Sequence, residues 1–181
     1  GSQLVVKVTP RKGDEGLRRE YEVIRYFRAR TSLPVPEPYF LDLSGDRIPG
    51  SLLVMEKARG TVLSQARERL TDLDRAAVAE EIAGHVAGLH QHQANGFGDI
   101  LLPEEERPAT WPDFWLPRFD QDVALARDRG CLTADLLDEL ARVRRQLPTL
   151  LEIGPRGVLT HYDIWTGNVM VDFAGGRARV S

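Results

Sequence analysis

The chain has little of what marks several large classes of protein. One cysteine, Cys131, among 181 residues excludes an internal disulfide and is typical of a reducing compartment. No apolar run approaches the roughly 20 residues of a membrane-spanning helix, and no signal peptide is visible. The net charge of −3 and the dispersed arginines argue against a nucleic-acid surface. We therefore expect a cytoplasmic protein with no membrane or nucleic-acid partner, whose 42% hydrophobic content suffices for a buried core.

The most informative segment begins at residue 159 and reads LTHYDIWTGNVMV. It places Asp163 and Asn168 five residues apart, after His161 and ahead of a β-branched run. This is the H-x-D-x-x-x-x-N spacing of a kinase catalytic loop, in which the Asp acts on the acceptor hydroxyl and the Asn helps to hold Mg²⁺. Ordinary turns also contain these residue types. We expect Gly167 to permit a strained backbone and residues 169–171 to form a short buried strand that braces the loop.

A lysine inside an apolar strand pattern predicts an ion pair. Residues 4–8 read LVVKV, which is typical of a buried strand, and Lys7 is costly there unless its ammonium finds an anion. In the helix predicted over residues 14–30, Glu20 lies within the apolar stripe, whereas Glu22 lies on the solvated face. We therefore expect Lys7 to pair with Glu20 and to neutralise nucleotide phosphates. The alternatives are an edge-strand lysine that reaches water and a Glu20 that pairs with a nearby arginine.

A second strand is predicted over residues 51–58, after a proline-rich segment that cannot be helical. This strand loses its apolar character at Glu56. In a kinase-like fold it would run into a hinge whose backbone meets the adenine of ATP. Met55, Glu56, Lys57 and Ala58 are therefore candidate nucleotide-binding residues, by position alone.

The rest of the chain has mainly helical patterns. Residues 71–74 resemble a capping box before a long helix, and another helix is expected to open at Thr133 and to end near Pro148. Strands first and helices later is the order of an α+β fold, with a small sheet lobe and a helical lobe.

Two further patterns favour structural roles. His85, His90 and His92 do not share a helix face, so we interpret them as structural and not as metal ligands. Residues 103–115 combine glutamates with tryptophans, and we expect a solvated loop there. If this loop borders an acceptor pocket, it favours a cationic, ring-bearing substrate.

These residues together make the chain resemble the aminoglycoside phosphotransferase and choline kinase-like family of small-molecule kinases, which are relatives of protein kinases. The resemblance rests on Lys7, Leu17-Arg18-Arg19-Glu20, Val35-Pro36, Leu53-Val54-Met55-Glu56, Leu89-His90 and His161 to Asn168. It implies a protein-kinase-like, two-lobed fold with a small antiparallel sheet and a mainly helical C-terminal lobe. Residues 1–58 would form a partial N-terminal lobe with the hinge, and residues 59–181 the C-terminal lobe with the catalytic loop.

The resemblance also implies an activity and a set of roles. The protein would be a kinase that uses ATP and Mg²⁺ to phosphorylate a hydroxyl group of a small molecule, such as an aminoglycoside. Asp163 would be the catalytic base, His161 would brace the site, and Asn168 would be a metal ligand. Lys7 and Glu20 carry over as the ion pair at the nucleotide. Tyr162 departs from the small residue that is usual at its position.

Two parts of such a kinase are missing from the sequence. No glycine-rich phosphate loop precedes Lys7, and no second metal-binding Asp follows Asn168 at the distance that the family requires. Asp172 begins a D-F-G look-alike, but the turn-rich residues after it predict a hairpin that returns through residues 177–181. We therefore expect a chain truncated at both ends, with exposed strand edges and little phosphoryl-transfer activity of its own.

Two alternatives remain open for the function. Residues 163–168, D-I-W-T-G-N, are close to the D-L-W-S-G-N loop of fructosamine kinases, which would make the protein a ketoamine kinase. The third possibility is a catalytically inactive, kinase-like binding module.

Overall fold

The computed structural model describes residues 3–152, 154 and 156–181. Strands and helices both occur, and the paired strands are antiparallel. The strands are β1 (Leu4–Thr9), β2 (Pro38–Asp42), β3 (Ser51–Glu56), β4 (Thr61–Val62), β5 (Gln93–Asn95), β6 (Arg156–Val158), β7 (Met170–Asp172) and β8 (Arg179–Val180). The helices are α1 (Glu15–Arg30), α2 (Leu63–Ala66), α3 (Asp72–His90), α4 (Trp111–Asp128) and α5 (Ala134–Leu150), with 3₁₀ turns at Arg67–Arg69, Glu104–Glu106 and Ala174–Gly176. The predicted α+β class is confirmed.

The chain forms two compact units. The first combines the residues up to Gln91 with those from Thr160 onward, and the second spans His92–Leu159. The strand lysine and the predicted catalytic loop therefore belong to the same unit. The lobe boundary expected after residue 58 stays a prediction.

The first sheet of this unit has the order β1-β3-β2 and packs one face on α1. Along the central strand β3, Leu53 and Met55 are buried and form a core with Leu17 of α1. The expectation that β1 is a buried strand is wrong. β1 lies at the sheet edge, and the valines on either side of Lys7 are each 56% exposed. Lys7 itself pairs in register with Leu53, which places it on the face toward α1.

Helix α1 has clear sequence signals at both ends. The Asp14 side chain accepts a hydrogen bond from the N–H of Leu17 at 3.0 Å, and this bond holds the pKa of Asp14 below its usual range. The helix ends at Arg30, where Thr31 is extended and its hydroxyl donates to the carbonyl of Phe27 at 2.8 Å. The predicted helix over residues 14–30 is confirmed.

The second sheet has the order β4-β7-β8 and packs against α3. Its core contains buried apolar residues of several elements: Ala66, Leu70, Val78, Val171 and Ala178. The predicted hairpin is confirmed, since Val171 pairs with Val180 across it. A side chain at Gly60, where φ is 84°, would overlap the carbonyl oxygen of Val171, so only glycine fits this crossing.

The outer side of β8 is closed by carboxylates of α3. The N–H of Ala178 donates to Asp74 Oδ1 at 3.1 Å, and the N–H of Val180 donates to Glu81 Oε2 at 2.6 Å. The expectation that residues 177–181 expose an unpaired edge is therefore wrong, because helix side chains satisfy these donors. Asp74 also completes the predicted capping box with Thr71, which is confirmed.

The second unit pairs a short hairpin with two helices. β5 and β6 are antiparallel, and Arg144 of α5 binds Asp120 of α4 through two hydrogen bonds of 2.7 and 2.9 Å. The solvated loop expected over residues 103–115 is wrong for its aromatic part: Trp111 begins α4, and its ring stacks with Phe114 at 5.3 Å. Helix α5 begins after its cap Thr133 and includes Pro148 in its last turn, so its end at Leu150 agrees with the predicted end near Pro148. Among the described residues, no helix has the length and apolar character to cross a membrane.

Replacing Asp74 with alanine should lower the melting temperature, because the helix cap and the main chain of Ala178 lose their acceptor together. The Thr71 hydroxyl, and next the Ala178 N–H, hold the pKa of Asp74 below its usual range. Its contribution is therefore complete above the usual carboxyl range and is lost as the pH falls through the lowered value.

The matched control for this prediction is Asp72→Ala, which removes a carboxylate of the same helical turn that pairs with Arg75 at the surface. Melting curves of both variants at neutral and acidic pH make the comparison. Equal losses for the two variants, or a loss for Asp74→Ala that persists at acidic pH, would contradict it.

Candidate active site

The loop after Thr160 is closed by Asn168. The side-chain nitrogen of Asn168 donates to Asp163 Oδ2 at 2.6 Å and to the Asp163 carbonyl at 3.2 Å. Its main-chain N–H donates to the carbonyl of Trp165 at 2.9 Å. Because a carboxylate only accepts hydrogen bonds, the amide must turn its nitrogen toward Asp163, which leaves Asn168 Oδ1 available to a cation. The structure thus brings the predicted base and the predicted metal ligand into direct contact.

The first turn of α2 holds this loop from the other side. The N–H groups of Leu63 and Ser64 donate to the carbonyls of Val169 and Thr166 at 2.8 and 2.9 Å. Donors at the start of a helix have no partner within the helix, so here they serve to anchor the loop. The loop is therefore set by main-chain bonds that do not involve the side chain of Asp163.

The strained position in the loop is Tyr162, and not Gly167 as expected. Tyr162 has φ 69° and is the one non-glycine residue with positive φ among those described. The residue is 80% exposed. A Cβ at Gly167 would overlap the outer edge of the Trp165 ring, which is exposed and would have to move aside. This left-handed backbone favours glycine at position 162, since glycine adopts the conformation without a steric penalty.

Lys7 and Glu20 form the expected ion pair. Lys7 Nζ donates to Glu20 Oε1 from the sheet to α1. Their side chains are 47% and 33% exposed, so the pair is half-exposed and not buried. Glu22 instead lies 3.7 Å from Arg25 on the outer side of the helix. The contact with Glu20 is as predicted, and its role at a nucleotide stays a prediction.

A cavity of about 380 Å³ lies within the first unit. Six of the candidate residues line it: Lys7, Glu20, Met55, Ala58, His161 and Asn168. The sequence analysis missed other lining residues, which include Leu33–Pro36, Ile82, His85 and Ile164. The proline segment had a sequence signal, since Val35-Pro36 belongs to the family resemblance. For His85, no sequence signal distinguishes a histidine that lines a cavity from a structural one.

His161 lies in the wall of the cavity. Its ring is 6.2 Å from that of Phe27, centroid to centroid. Its Nδ1 atom is buried and has no hydrogen-bond partner in the described part of the chain. The His161 ring thus packs on α1. The predicted role of His161 in supporting the catalytic loop stays a prediction.

Two of the predicted hinge residues are tied to protein neighbours. The N–H of Glu56 donates to Glu37 at 2.8 Å, and the N–H of Lys57 donates to Gln3 at 3.0 Å. Their main-chain donors are therefore engaged, and Met55 and Ala58 are the hinge residues that border the cavity. As nucleotide ligands, all four stay predictions.

The oxygen atoms of the loop fit Mg²⁺ only together with waters and substrate phosphates as further ligands. Among the described residues, no group of three or more His, Cys, Asp or Glu side chains could hold a metal ion. Mg²⁺ usually keeps several waters and binds one or two protein oxygens together with substrate phosphates. The available Oδ1 of Asn168 suits that second arrangement. Asp172 accepts from the N–H of Phe173 at 2.7 Å within the hairpin, as expected of a turn residue.

Comparison with known proteins identifies the family. The model of the phosphotransferase enzyme family (APH) matches residues 1–180, so the chain belongs to this family. Among solved structures, the ADP-bound aminoglycoside phosphotransferase APH(2'')-Ib is 19% identical, with a TM-score of 0.66 over 98% of this chain and 58% of that one. Aminoglycoside phosphotransferase APH(4)-Ia is 21% identical, with a TM-score of 0.65 over 100% of this chain and 58% of that one. The predicted family and its fold are confirmed.

A thermostable mutant of APH(4)-Ia in the apo form is 20% identical, with a TM-score of 0.64 over 100% of this chain and 59% of that one. The chain thus spans a little under three fifths of the length of these structures. No curated protein matches the sequence significantly.

A double-mutant cycle on Lys7→Met and Glu20→Gln should give a coupling of roughly 0.2–1 kcal/mol in the free energy of unfolding, because the pair is half-exposed. The Arg25–Glu22 pair on the same helix is the matched control and should couple less, since its closest approach is 3.7 Å. Denaturant unfolding measures both cycles. Strictly additive losses at Lys7 and Glu20 would mean that the two side chains do not touch in solution.

Tyr162→Gly should stabilise the protein by up to about 1 kcal/mol, because relief of about 1–2 kcal/mol of left-handed strain is offset in part by the entropy of glycine. Tyr162→Ala is the control, since it removes the exposed ring and keeps the strain. Denaturation midpoints compare the two variants. An equal effect of glycine and alanine would show that the ring, and not the backbone, decides the stability here.

Proposed function

We propose that the protein is an ATP-dependent small-molecule kinase that transfers the γ-phosphate of ATP to a hydroxyl group. The observation that carries this proposal is the contact between Asp163 and Asn168, in a loop whose Asn168 shares a cavity with Lys7. A carboxylate and a neutral amide oxygen in fixed relation serve the two needs of phosphoryl transfer, a proton acceptor and a metal ligand. The ADP-bound relative supports a nucleotide at this site.

Each residue has a defined part in the proposed reaction. Asp163 orients the acceptor hydroxyl and takes its proton as the oxygen–phosphorus bond forms and the bond to ADP breaks. Lys7 neutralises phosphate charge, and Glu20 holds its ammonium toward the cavity. Asn168 Oδ1 would hold Mg²⁺, which would supply further neutralisation of the phosphate charge. Met55 and Ala58 border the space for the base.

The acceptor we propose is a small molecule with a free hydroxyl, and an aminoglycoside is the leading candidate. The structural relatives are aminoglycoside phosphotransferases, which supports this class. A ketoamine such as fructosyl-lysine is the second candidate. It is favoured by the loop D-I-W-T-G-N, in which Gly167 leaves room for the ring of Trp165. We place the reaction in the cytoplasm, where ATP and Mg²⁺ are supplied.

The experiment that tests the function uses the full-length protein with Mg-ATP and a panel of acceptors. Phosphate incorporation into aminoglycosides, macrolides and fructosyl-lysine separates an antibiotic kinase from a ketoamine kinase. ATP binding without transfer to any acceptor that carries a hydroxyl would indicate a binding module. Absence of nucleotide binding would refute the proposal.

Asp163→Asn should lower turnover about 100- to 10,000-fold, because the acceptor hydroxyl loses its proton acceptor. Nucleotide affinity should change little, since the new carboxamide oxygen can still accept from Asn168 and keep the loop closed. Asp172→Asn is the control and should keep its turnover. Turnover and nucleotide binding are measured for both variants. Parallel losses in affinity and turnover would move Asp163 to a structural or metal-binding role.

A further inference from the structure

The segment Leu33–Pro36 forms one wall of the cavity and belongs to no strand or helix. We propose that Arg28, near the end of α1, is the positioning residue of this wall and thereby sets the affinity of the cavity for nucleotide. This inference rests on the proposed function and goes beyond it, because Arg28 does not line the cavity and acts through the wall.

One guanidinium binds both the wall and the residue that follows it. Arg28 Nη1 donates to the carbonyl of Val35 at 2.9 Å, and Nη2 forms an ion pair with the Glu37 carboxylate. The planar fork of arginine suits two acceptors at once, which a lysine ammonium does not match in geometry. The two charged side chains are 39% and 40% exposed, so the pair by itself contributes little to stability. Its distinctive effect is to fix the position of the Val35 carbonyl.

The two ends of the wall are held by other bonds. At the start, the N–H of Leu33 donates to the Thr31 hydroxyl at 3.2 Å. At the end, the N–H of Glu37 donates to the Glu56 carboxylate at 3.2 Å, and the N–H of Glu56 returns a bond to the Glu37 carbonyl at 2.8 Å. The two bonds between Glu37 and Glu56 lie at the end of β3, next to Met55, which is buried and lines the same cavity. Between these two sets of hydrogen bonds, Arg28 binds the carbonyl of Val35.

The need for a side chain follows from the sequence of the wall. Pro34 and Pro36 have no N–H, so the segment cannot be held by a regular ladder of main-chain bonds. The prolines also keep Leu33 and Val35 extended, with apolar side chains that can face a base. The carbonyls of the wall remain as acceptors, and Arg28 donates to the carbonyl of Val35.

Replacement of Arg28 should therefore lower the affinity for nucleotide and leave the rate of phosphoryl transfer unchanged. The catalytic loop is anchored by α2 and by its own Asp163–Asn168 bond, neither of which involves Arg28. We expect Arg28→Met to weaken ATP binding roughly tenfold, the equivalent of about 1.4 kcal/mol. KM for ATP should rise in parallel, with kcat unchanged.

Arg30→Met is the matched control. Arg30 carries the same charge on the same helical turn, but its guanidinium lies over the ring of Tyr26 at 4.5 Å. The ATP affinity of the Arg30→Met variant should equal that of the original protein. Arg28→Lys keeps the charge and loses the fork, and it should fall between Arg28→Met and the original protein. If Arg28→Met does not fold, Arg28→Lys carries the comparison.

Calorimetric titration of the full-length protein with ATP gives the affinities, and amide hydrogen exchange at Leu33, Val35 and Glu37 reports on the wall. Weaker binding together with faster exchange in Arg28→Met, and neither in Arg30→Met, is the expected result. A lower melting temperature with unchanged ATP affinity would overturn the inference and leave Arg28 a structural residue. If the unaltered protein binds no nucleotide, the proposed function fails and the inference falls with it.

Discussion

The hydrogen bond from the Asn168 amide to the Asp163 carboxylate is the interaction on which the candidate site depends. A carboxylate accepts and does not donate, so this contact sets the orientation of both side chains. It leaves the other carboxylate oxygen of Asp163 and the amide oxygen of Asn168 for the proton acceptance and metal binding that we propose. The loop needs an external anchor to keep this geometry, and α2 supplies it through Leu63 and Ser64.

Side chains also bind unpaired main-chain groups elsewhere in the first unit. Carboxylates of α3 accept the N–H groups along the outer side of β8, where a neighbouring strand would otherwise be needed. The proline segment beside the cavity has few donors of its own, so Arg28 and Glu56 hold it through its acceptors and its ends. Charged side chains thus satisfy backbone groups of an edge strand and of the proline segment, which no neighbouring strand pairs.

Much of the local structure could be predicted from the sequence, because the relevant signals are short. The caps at Asp14 and Thr71, the choice of Glu20 over Glu22 and the hairpin after Val171 depend on residues a few positions apart. The mistaken expectations have a common cause. Burial of β1 and the edge of β8 depend on which segments distant in sequence pack beside them, which no local pattern reports.

The sequence by itself determined the spacing of Asp163 and Asn168 and the helical face of Glu20, since both follow from chain geometry over a few residues. Only the tertiary structure decided which lining residues meet at the cavity. It joined Lys7 of a strand, the proline segment and the loop at Asn168, although these lie far apart along the chain. The structure also shows that the positive φ of the loop lies at Tyr162 and not at Gly167, since residue type alone does not fix the φ angles of a loop.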